Sequence, residues 1–424
     1  MAKKTWKLSA SFIASFKACP YRCYLKYVLG LVPIEDTDAL RMGTNWHRLL
    51  EIMGMRPETV CPECSKKQKI TSAEILLLNT TPIELASSNC PLCEGTDILP
   101  ADMMDAVVRQ LNQAYETVPL SKTKEEWLAE RAILLYSIAG YNWQYIDDLF
   151  EVVAEEIQFS IPVRNPKTGR ALPNVVLNGK IDKIVKSPNG IYYIDEHKST
   201  SKALDSDSLY WKHLTLDTQT LLYPYAAQQL QLAGDLEDYG IKSSDPLISG
   251  VRYDAWHKPQ IKPKKLTQAE SKKFVEDGEY MGDKFEVAGV GDRHPNGGGI
   301  LINNERAEIE PGAKEGTFAI RETPDMFGAR LLKDIGERPE FYFCRKEIAR
   351  TESDLKKFEQ QIYNIYHTIK FIERNNAWWE NESQCEATFR CPYLNVCYNG
   401  IDVSNGQVPE GLKLTKWKEK ENVS

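Results

Sequence analysis

No apolar run in these 424 residues approaches the ~20 needed to span a bilayer. The opening Met1-Ala2-Lys3-Lys4-Thr5-Trp6 is not followed by the apolar stretch of a secretory signal. Both absences lead to the expectation of a cytoplasmic protein with no membrane partner. Basic residues are not in excess either. Fifty-three Lys and Arg against 60 Asp and Glu leave a net charge of −7. That balance argues against indiscriminate polyanion binding but does not exclude a local basic groove. The glycine-rich stretch 289–299 lacks the Gly-Lys-Ser/Thr ending of a nucleotide-binding P-loop and reads as a mobile loop. No helicase motif occurs anywhere, so any motor would be a separate chain.

What is present belongs to an ordinary globular protein: 42% hydrophobic and 27% charged residues, with length for two or three domains. The ten cysteines stand out. In a reducing compartment they suggest metal before disulfide. Cys61 and Cys64 form one Cys-x-x-Cys knuckle, and Cys90 and Cys93 form another, within a segment that looks inserted. Four thiolates in two such knuckles suit a closed, structural Zn²⁺ site, which would fold a small accessory ribbon. A platform for DNA or a partner is the other role such a ribbon can have. Cys385, Cys391 and Cys397 lie near one end of the sequence and Cys19 and Cys23 near the other, while Cys344 reads as a core residue.

The stretch 178–200 reads as a β-hairpin. Two β-rich runs flank Pro188-Asn189-Gly190, where proline fixes φ and glycine supplies φ > 0. With those three residues as the loop, Ser187 pairs with Ile191, and counting outward sets Asp182 opposite Glu196. Side chains alternate along a strand, so Glu196 and Lys198 share one face while Asp195 and His197 take the other. Two carboxylates and an ammonium then converge, and a divalent cation would relieve the repulsion of the acids. A surface hairpin with ordinary cross-strand charges is the plainer reading.

Around this hairpin the pattern is helical, then mixed. Ser9 or Ser11 caps a helix that Pro20 ends just past Cys19. Gly43 lies one turn before His47, where it would allow close approach to another backbone. Residues 101–150 repeat apolar positions at helical spacing, and 151–163 turns strand-like. Gln219 and Tyr223 share a helix face, and Pro224 departs from an ideal helix in a way expected to kink it. Residues 247–256 read as a strand, followed by a basic segment, 257–265, that is either a solvated loop or a phosphate-following one. Residues 339–344 read as a strand, and Leu355 to Ile372 as a long amphipathic helix.

Gly179, Asp182, Glu196 and Lys198 together resemble the active-site hairpin of the PD-(D/E)XK nuclease superfamily, in its RecB-like branch. There a Gly-x-x-Asp strand precedes an (Asp/Glu)-x-Lys strand; Ile181 stands where a proline often precedes the first acid. In Asp195-Glu196-His197-Lys198 either acid could be the ligand by motif, and the facing argument selects Glu196. The resemblance extends from Ser9 to Cys397 in family order. It takes in Cys19-Pro20, the Gly-x-x-x-His of Gly43 and His47, the Gln-x-x-x-Tyr of Gln219 and Tyr223, and the final Cys391-Pro-Tyr-x-x-x-Cys397. Five residues precede Cys391 after Cys385 where two are usual, with Thr388 in the place of an expected cysteine.

The resemblance implies an α/β fold: a mixed central sheet with flanking helices, an N-terminal helical lobe and an inserted zinc ribbon. The divisions expected are residues 1–55 (first cluster cysteine and histidine motif), 56–98 (zinc ribbon), 99–150 (helical lobe), 151–260 (catalytic core), 261–345 (variable loops and a strand) and 346–424 (helix and cysteine group). It implies His47, Asp182 and Glu196 as ligands of Mg²⁺ or Mn²⁺, Lys198 as the catalytic cation, and Gln219 and Tyr223 bordering the site and DNA. Cys19, Cys385, Cys391 and Cys397 would hold a [4Fe–4S] cluster, with zinc at the same sulfurs as the competitor. The function implied is a metal-dependent DNA nuclease, an exonuclease of low sequence specificity, similar to those of phage recombination or CRISPR adaptation. Its partners would be DNA ends and a separate helicase or recombinase. An idle DNA-binding scaffold of the same fold is the alternative.

Overall fold

The computed structural model describes residues 5–34, 37–64, 90–290, 299–314, 316–387, 390–403 and 405–415. The middle of the expected zinc ribbon (65–89), most of the glycine-rich loop (291–298) and Thr388 lie outside these residues. No helix among the described residues is long and apolar enough to cross a membrane.

Strand β1 (Trp6–Leu8) leads into helix α1 (Ala10–Ala18), capped by Ser9, whose hydroxyl accepts the Phe12 N–H at 3.1 Å. Cys19 ends that helix, and Pro20 opens the short turn Pro20–Cys23, where its missing N–H costs nothing. Next come α2 (Asp38–Gly54), α3 (Met103–Ala114) and α4 (Lys124–Gln144), the last opened by a capping box between Thr123 and Glu126. The long β2 (Glu151–Arg164) and β3 (Ala171–Lys186) form a hairpin, followed by β4 (Tyr192–Thr200), α5 (Gln219–Ala233) and β5 (Gly250–His257). Helices α6 (Gln268–Asp277) and α7 (Pro324–Glu337), strand β6 (Phe343–Ala349) and helix α8 (Glu352–Asn375) complete the frame.

The central sheet runs β1-β3-β4-β5-β6, with β2 along the other edge of β3. Parallel pairs (β1 with β3, β4 with β5) and antiparallel ones make it mixed. The edge of β3 opposite β2 is shared: Val175 to Leu177 pair with β1, and Lys183 to Lys186 pair with β4. Between those ladders, at residues 178–182, β4 has diverged from β3. Asp182 lies in this opening rather than inside a continuous ladder. Helices α5 and α8 cover one side through Leu222, Ala226, Phe358, Ile362 and Ile369; α2, α3, α4 and α7 form a second core with Trp256 and Phe343.

Several expectations change. Residues 261–345 are not merely loops and a strand. They carry α6, α7 and a small β unit, Val287–Val290 with Gly299–Ile302 and Ile309–Pro311 with Phe318–Ile320, around Leu266, Phe274, Ile302 and Ile320. Its strands are too short for an alternation pattern to register. Pro339–Tyr342 is a helical turn, with proline at its first position, and the strand begins only at Phe343. Gly43 approaches the Ser199 side chain, 3.2 Å from where its Cβ would sit, rather than a backbone. In the basic segment, Lys258 donates to the Ala39 carbonyl at 2.8 Å and Lys265 pairs with Glu310, so both lysines are engaged within the protein. The two cysteine knuckles, finally, do not stand apart. Cys61, Cys64, Cys90, Leu92, Cys93 and Leu99 belong to the same core as Trp46, Leu49 and Ile52 of α2.

Candidate active site

The hairpin closes as its turn chemistry dictates. Ser187 N–H donates to the Ile191 carbonyl at 2.8 Å, and Gly190 sits at φ 80°. Lys183 pairs with Asp195, and one step further the strands part with Asp182 and Glu196 on facing positions. Gly179 is required by space: a Cβ there would lie 2.7 Å from Phe159 Cζ and 3.4 Å from Tyr223 Cε1.

The two faces of β4 are chemically different. On one, Lys198 Nζ contacts Glu196 Oε1, and Gln219 Nε2 donates to the same oxygen at 2.7 Å. Asp217 fixes the start of α5 by accepting the Gln219 and Thr220 N–H groups at 2.8 and 3.1 Å, and so aims Gln219. Pro224 lies inside an unbroken helix, where it has no N–H to give. The Thr220 carbonyl, one turn back, is supplied instead by Arg350 Nε at 3.0 Å. Tyr223 packs edge-on against Phe159 at 5.9 Å. Helix α2 brings His47 Nδ1 to 3.7 Å from Asp182 Oδ2.

Asp182 Oδ2 and Glu196 Oε2 are buried oxygens with no hydrogen-bond partner. A carboxylate oxygen left so would cost several kcal/mol unless a proton or a cation faced it. The donor set, two hard oxygens and an imidazole, fits a divalent ion of the Mg²⁺ or Mn²⁺ kind. Burial holds His47 down at about 4, with Lys198 and His197 adding to it against Asp182; the ring is neutral at pH 7, the ligating form. Burial pushes Glu196 up to about 7, Lys198 opposing and Asp182 adding. Burial works to strip Lys198 of its proton, but Glu196 and Asp182 outweigh it and keep the ammonium above its ordinary value.

Those shifts fix the sign of a pH effect. Were both to ligate a metal, His47 would present no proton above about pH 4, whereas Glu196 would have to release one until about pH 7. Mn²⁺ affinity is therefore expected to rise roughly tenfold per pH unit below 7 and to level off above it. A titration series by isothermal calorimetry measures this; an affinity flat from pH 5.5 to 7 would contradict it.

The opposite face of β4 carries a charge network the sequence did not reveal. Asp195 accepts a fork from Arg252 at 3.0 and 2.7 Å, and His197 Nδ1 lies 3.2 Å from Asp254 Oδ2. Asp254 also takes hydrogen bonds from Tyr141 and from Arg345 Nε at 3.1 Å, while Arg345 pairs with Asp148 at 2.6 Å. Asp195, His197 and Asp254 are close enough to hold an ion. Their carboxylates are already neutralised by guanidinium groups, so this is a structural network. Burial works against the Asp254 charge, but His197, Arg345 and Tyr141 hold its pKa well below the carboxylate range.

Two cysteine groups complete the picture. The sulfurs of Cys61, Cys64, Cys90 and Cys93 lie within 4.8 Å of one another, with Cys61 to Cys90 at 3.8 Å and Cys64 to Cys93 at 3.4 Å. A tetrahedral site with Zn–S of about 2.3 Å places its sulfurs about 3.8 Å apart, so the group is compatible with zinc. Cys19, Cys385, Cys391 and Cys397, from opposite ends of the described chain, line one pocket with Arg22 and Leu25. Burial, Cys391 and Glu380, then Cys19 and Cys385, push Cys397 up to about 11. Cys23 belongs elsewhere, its thiol reaching the Phe12 carbonyl in the main core.

The mixed sheet thus carries a splayed hairpin whose two unpartnered carboxylate oxygens, with a lysine and a helix-borne histidine beside them, form a donor set suited to a divalent metal ion. The family model of the PD-(D/E)XK nuclease superfamily matches residues 7–398, and the chain belongs to that superfamily. Membership carries the coarse function, metal-dependent nuclease action on DNA. A comparison with curated proteins finds no match.

Proposed function

We propose that this protein is a DNA exonuclease of the RecB-like branch, with Asp182, Glu196 and His47 as its metal ligands and Lys198 as its catalytic cation. The pair of unpartnered buried oxygens on Asp182 and Glu196 carries the reading. An Mg²⁺ or Mn²⁺ ion held there would supply Lewis acidity toward a phosphodiester oxygen and acidify a water. Gln219 and Lys198 occupy Glu196 Oε1, which leaves Oε2 for the ion. Lys198 sits where an ammonium can orient that water and stabilise charge growing on the phosphate. Tyr223, one turn from Gln219, borders the cleft and offers a surface to the DNA strand. Every phosphodiester presents the same target, so sequence preference is low and the natural setting is recombination, repair or end processing, alongside a separate helicase or recombinase.

End-labelled linear DNA and closed circles, single- and double-stranded, incubated with Mn²⁺ or Mg²⁺ test this. Linear DNA shortened from its ends with circles intact is expected. Cut circles would make the protein an endonuclease, and no cleavage of any substrate would make it a scaffold.

The same proposal includes two cysteine-held centres, zinc at Cys61, Cys64, Cys90 and Cys93, and a [4Fe–4S] cluster at Cys19, Cys385, Cys391 and Cys397. The second would tie the C-terminal segment to α1. A small core of Leu25, Leu31, Tyr393, Val396 and Leu412 and the pairing of Leu31–Pro33 with Leu412–Leu414 already join these ends. Anaerobically purified protein is expected to be brown, and Cys19→Ala to bleach it. A colourless protein with two zincs and no iron would reject the cluster.

A further inference from the structure

The knuckles lie against the helix that carries His47. Arg48, the next residue along α2, pairs with Glu63, which sits between Cys61 and Cys64, and the Glu63 carboxylate is also 3.9 Å from Cys90 Sγ. Leu49, Leu50 and Ile52, the rest of that end of the helix, share the buried core of the four cysteines and Leu92. From the other side Arg109 of α3 donates to the Pro91 and Leu92 carbonyls at 2.9 and 3.1 Å. The first half of α2 has different anchors: Arg41 forks to Glu130, and Trp46 stacks on Trp256 at 4.1 Å. His47 falls at the junction of the two halves.

The knuckles also hold costly backbone. Glu58, Glu94 and Asp97 take φ of 56°, 51° and 61°, a left-handed conformation that is strained for residues carrying a Cβ. Such turns persist where something over-determines them. Here the backbone N–H groups of Glu63 and Cys64 reach the Cys61 sulfur, and those of Gly95 and Asp97 reach the Cys93 sulfur. The Cys61 N–H meets the Asp97 carbonyl and Leu99 N–H the Thr59 carbonyl, both at 2.8 Å. An ion drawing the four sulfurs together would lock this arrangement and the Glu63 strut with it.

We propose that the Cys61/Cys64/Cys90/Cys93 zinc centre is a positioning device for the catalytic metal site. Through Glu63 and Arg48 it fixes the end of α2, and so places His47 over Asp182. This rests on the reading of His47, Asp182 and Glu196 as ligands, and it gives the segment a part in the active site beyond that of an accessory ribbon. Glu63 and Arg48 are positioning residues; neither touches substrate or the catalytic ion.

Mn²⁺ binding, followed by the electron paramagnetic resonance of free Mn²⁺, reads the coupling without any need for cleavage. The full-length protein is compared as purified, after removal of zinc by a chelator, and as Glu63→Ala, with zinc by elemental analysis and fold by circular dichroism. The wild type is expected to carry zinc and to bind Mn²⁺ about tenfold more weakly once stripped. Glu63→Ala should keep its zinc and still bind Mn²⁺ several-fold more weakly. In a His47→Ala background both effects should vanish, because the helix then has no ligand to place. Should stripping unfold the protein, the Glu63→Ala comparison decides alone. No zinc in the protein, an unchanged Mn²⁺ affinity in zinc-loaded Glu63→Ala, or a loss that persists without His47 would each overturn the proposal. Wild-type protein with zinc but no Mn²⁺ binding would instead sink the reading of the active site, and the coupling with it.

Discussion

Asp182→Ala, Glu196→Ala and Lys198→Ala are each expected to take DNA cleavage to background while leaving a folded protein. The acids supply two unpartnered carboxylate oxygens of the splayed hairpin, and one of them, Asp182 Oδ2, faces His47 Nδ1 at 3.7 Å. Removing either leaves the other carboxylate without the ion that would compensate it. Lys198 acts later. Loss of a preorganised cation at developing charge costs about 10²–10³ in kcat, with little change in metal affinity expected. Single-turnover cleavage with Mn²⁺, beside Mn²⁺ binding for each variant, separates the two roles. Full activity in Glu196→Ala would overturn the assignment of ligands.

Asp195→Ala should fail in a different way. The facing argument makes Asp195 a bystander, since its side chain takes the other face of the strand, and on that ground its loss would be mild. The structure corrects this for the fold. Asp195 and Arg252 are both buried and joined by two hydrogen bonds, so the substitution strands a guanidinium in the interior with Asp148 as its remaining carboxylate partner. Breaking such a pair costs about 3–5 kcal/mol. Chemical denaturation should show a loss of that order, with the surviving folded fraction still cleaving DNA. An unchanged midpoint together with abolished cleavage would mean that Asp195, not Glu196, serves the metal.

The contrast between these neighbours shows what a sequence can and cannot convey. The hairpin's register was legible because Pro188 and Gly190 leave the turn few options and because strand side chains alternate. Ser187 does close on Ile191, and Glu196 and Asp195 do part to opposite faces. The helix caps at Ser9 and the stop at Cys19 were legible for the same local reason. Partners from distant segments were not. Nothing near Asp195 in sequence announces Arg252, nor does anything near Arg252 announce Asp148 and Arg345. The parallel pairing of β1 with β3 is equally remote. It matters because β1 and β4 share one edge of β3, and the space between them is where Asp182 opens to the cleft. The cysteine knuckles were legible as a metal-binding pattern, yet their merger with the core under α2 depends on Leu92 and Leu99 meeting Leu49 and Ile52. No spacing rule conveys that contact.

The proposed function requires the divalent ion on the Glu196 face of β4. Anomalous diffraction from crystals soaked in Mn²⁺ tests it directly, because the two faces of one strand each offer a carboxylate and histidine group. A peak bounded by His47, Asp182 and Glu196 is the predicted result. A peak among Asp195, His197 and Asp254, with none beside Glu196, would contradict the account.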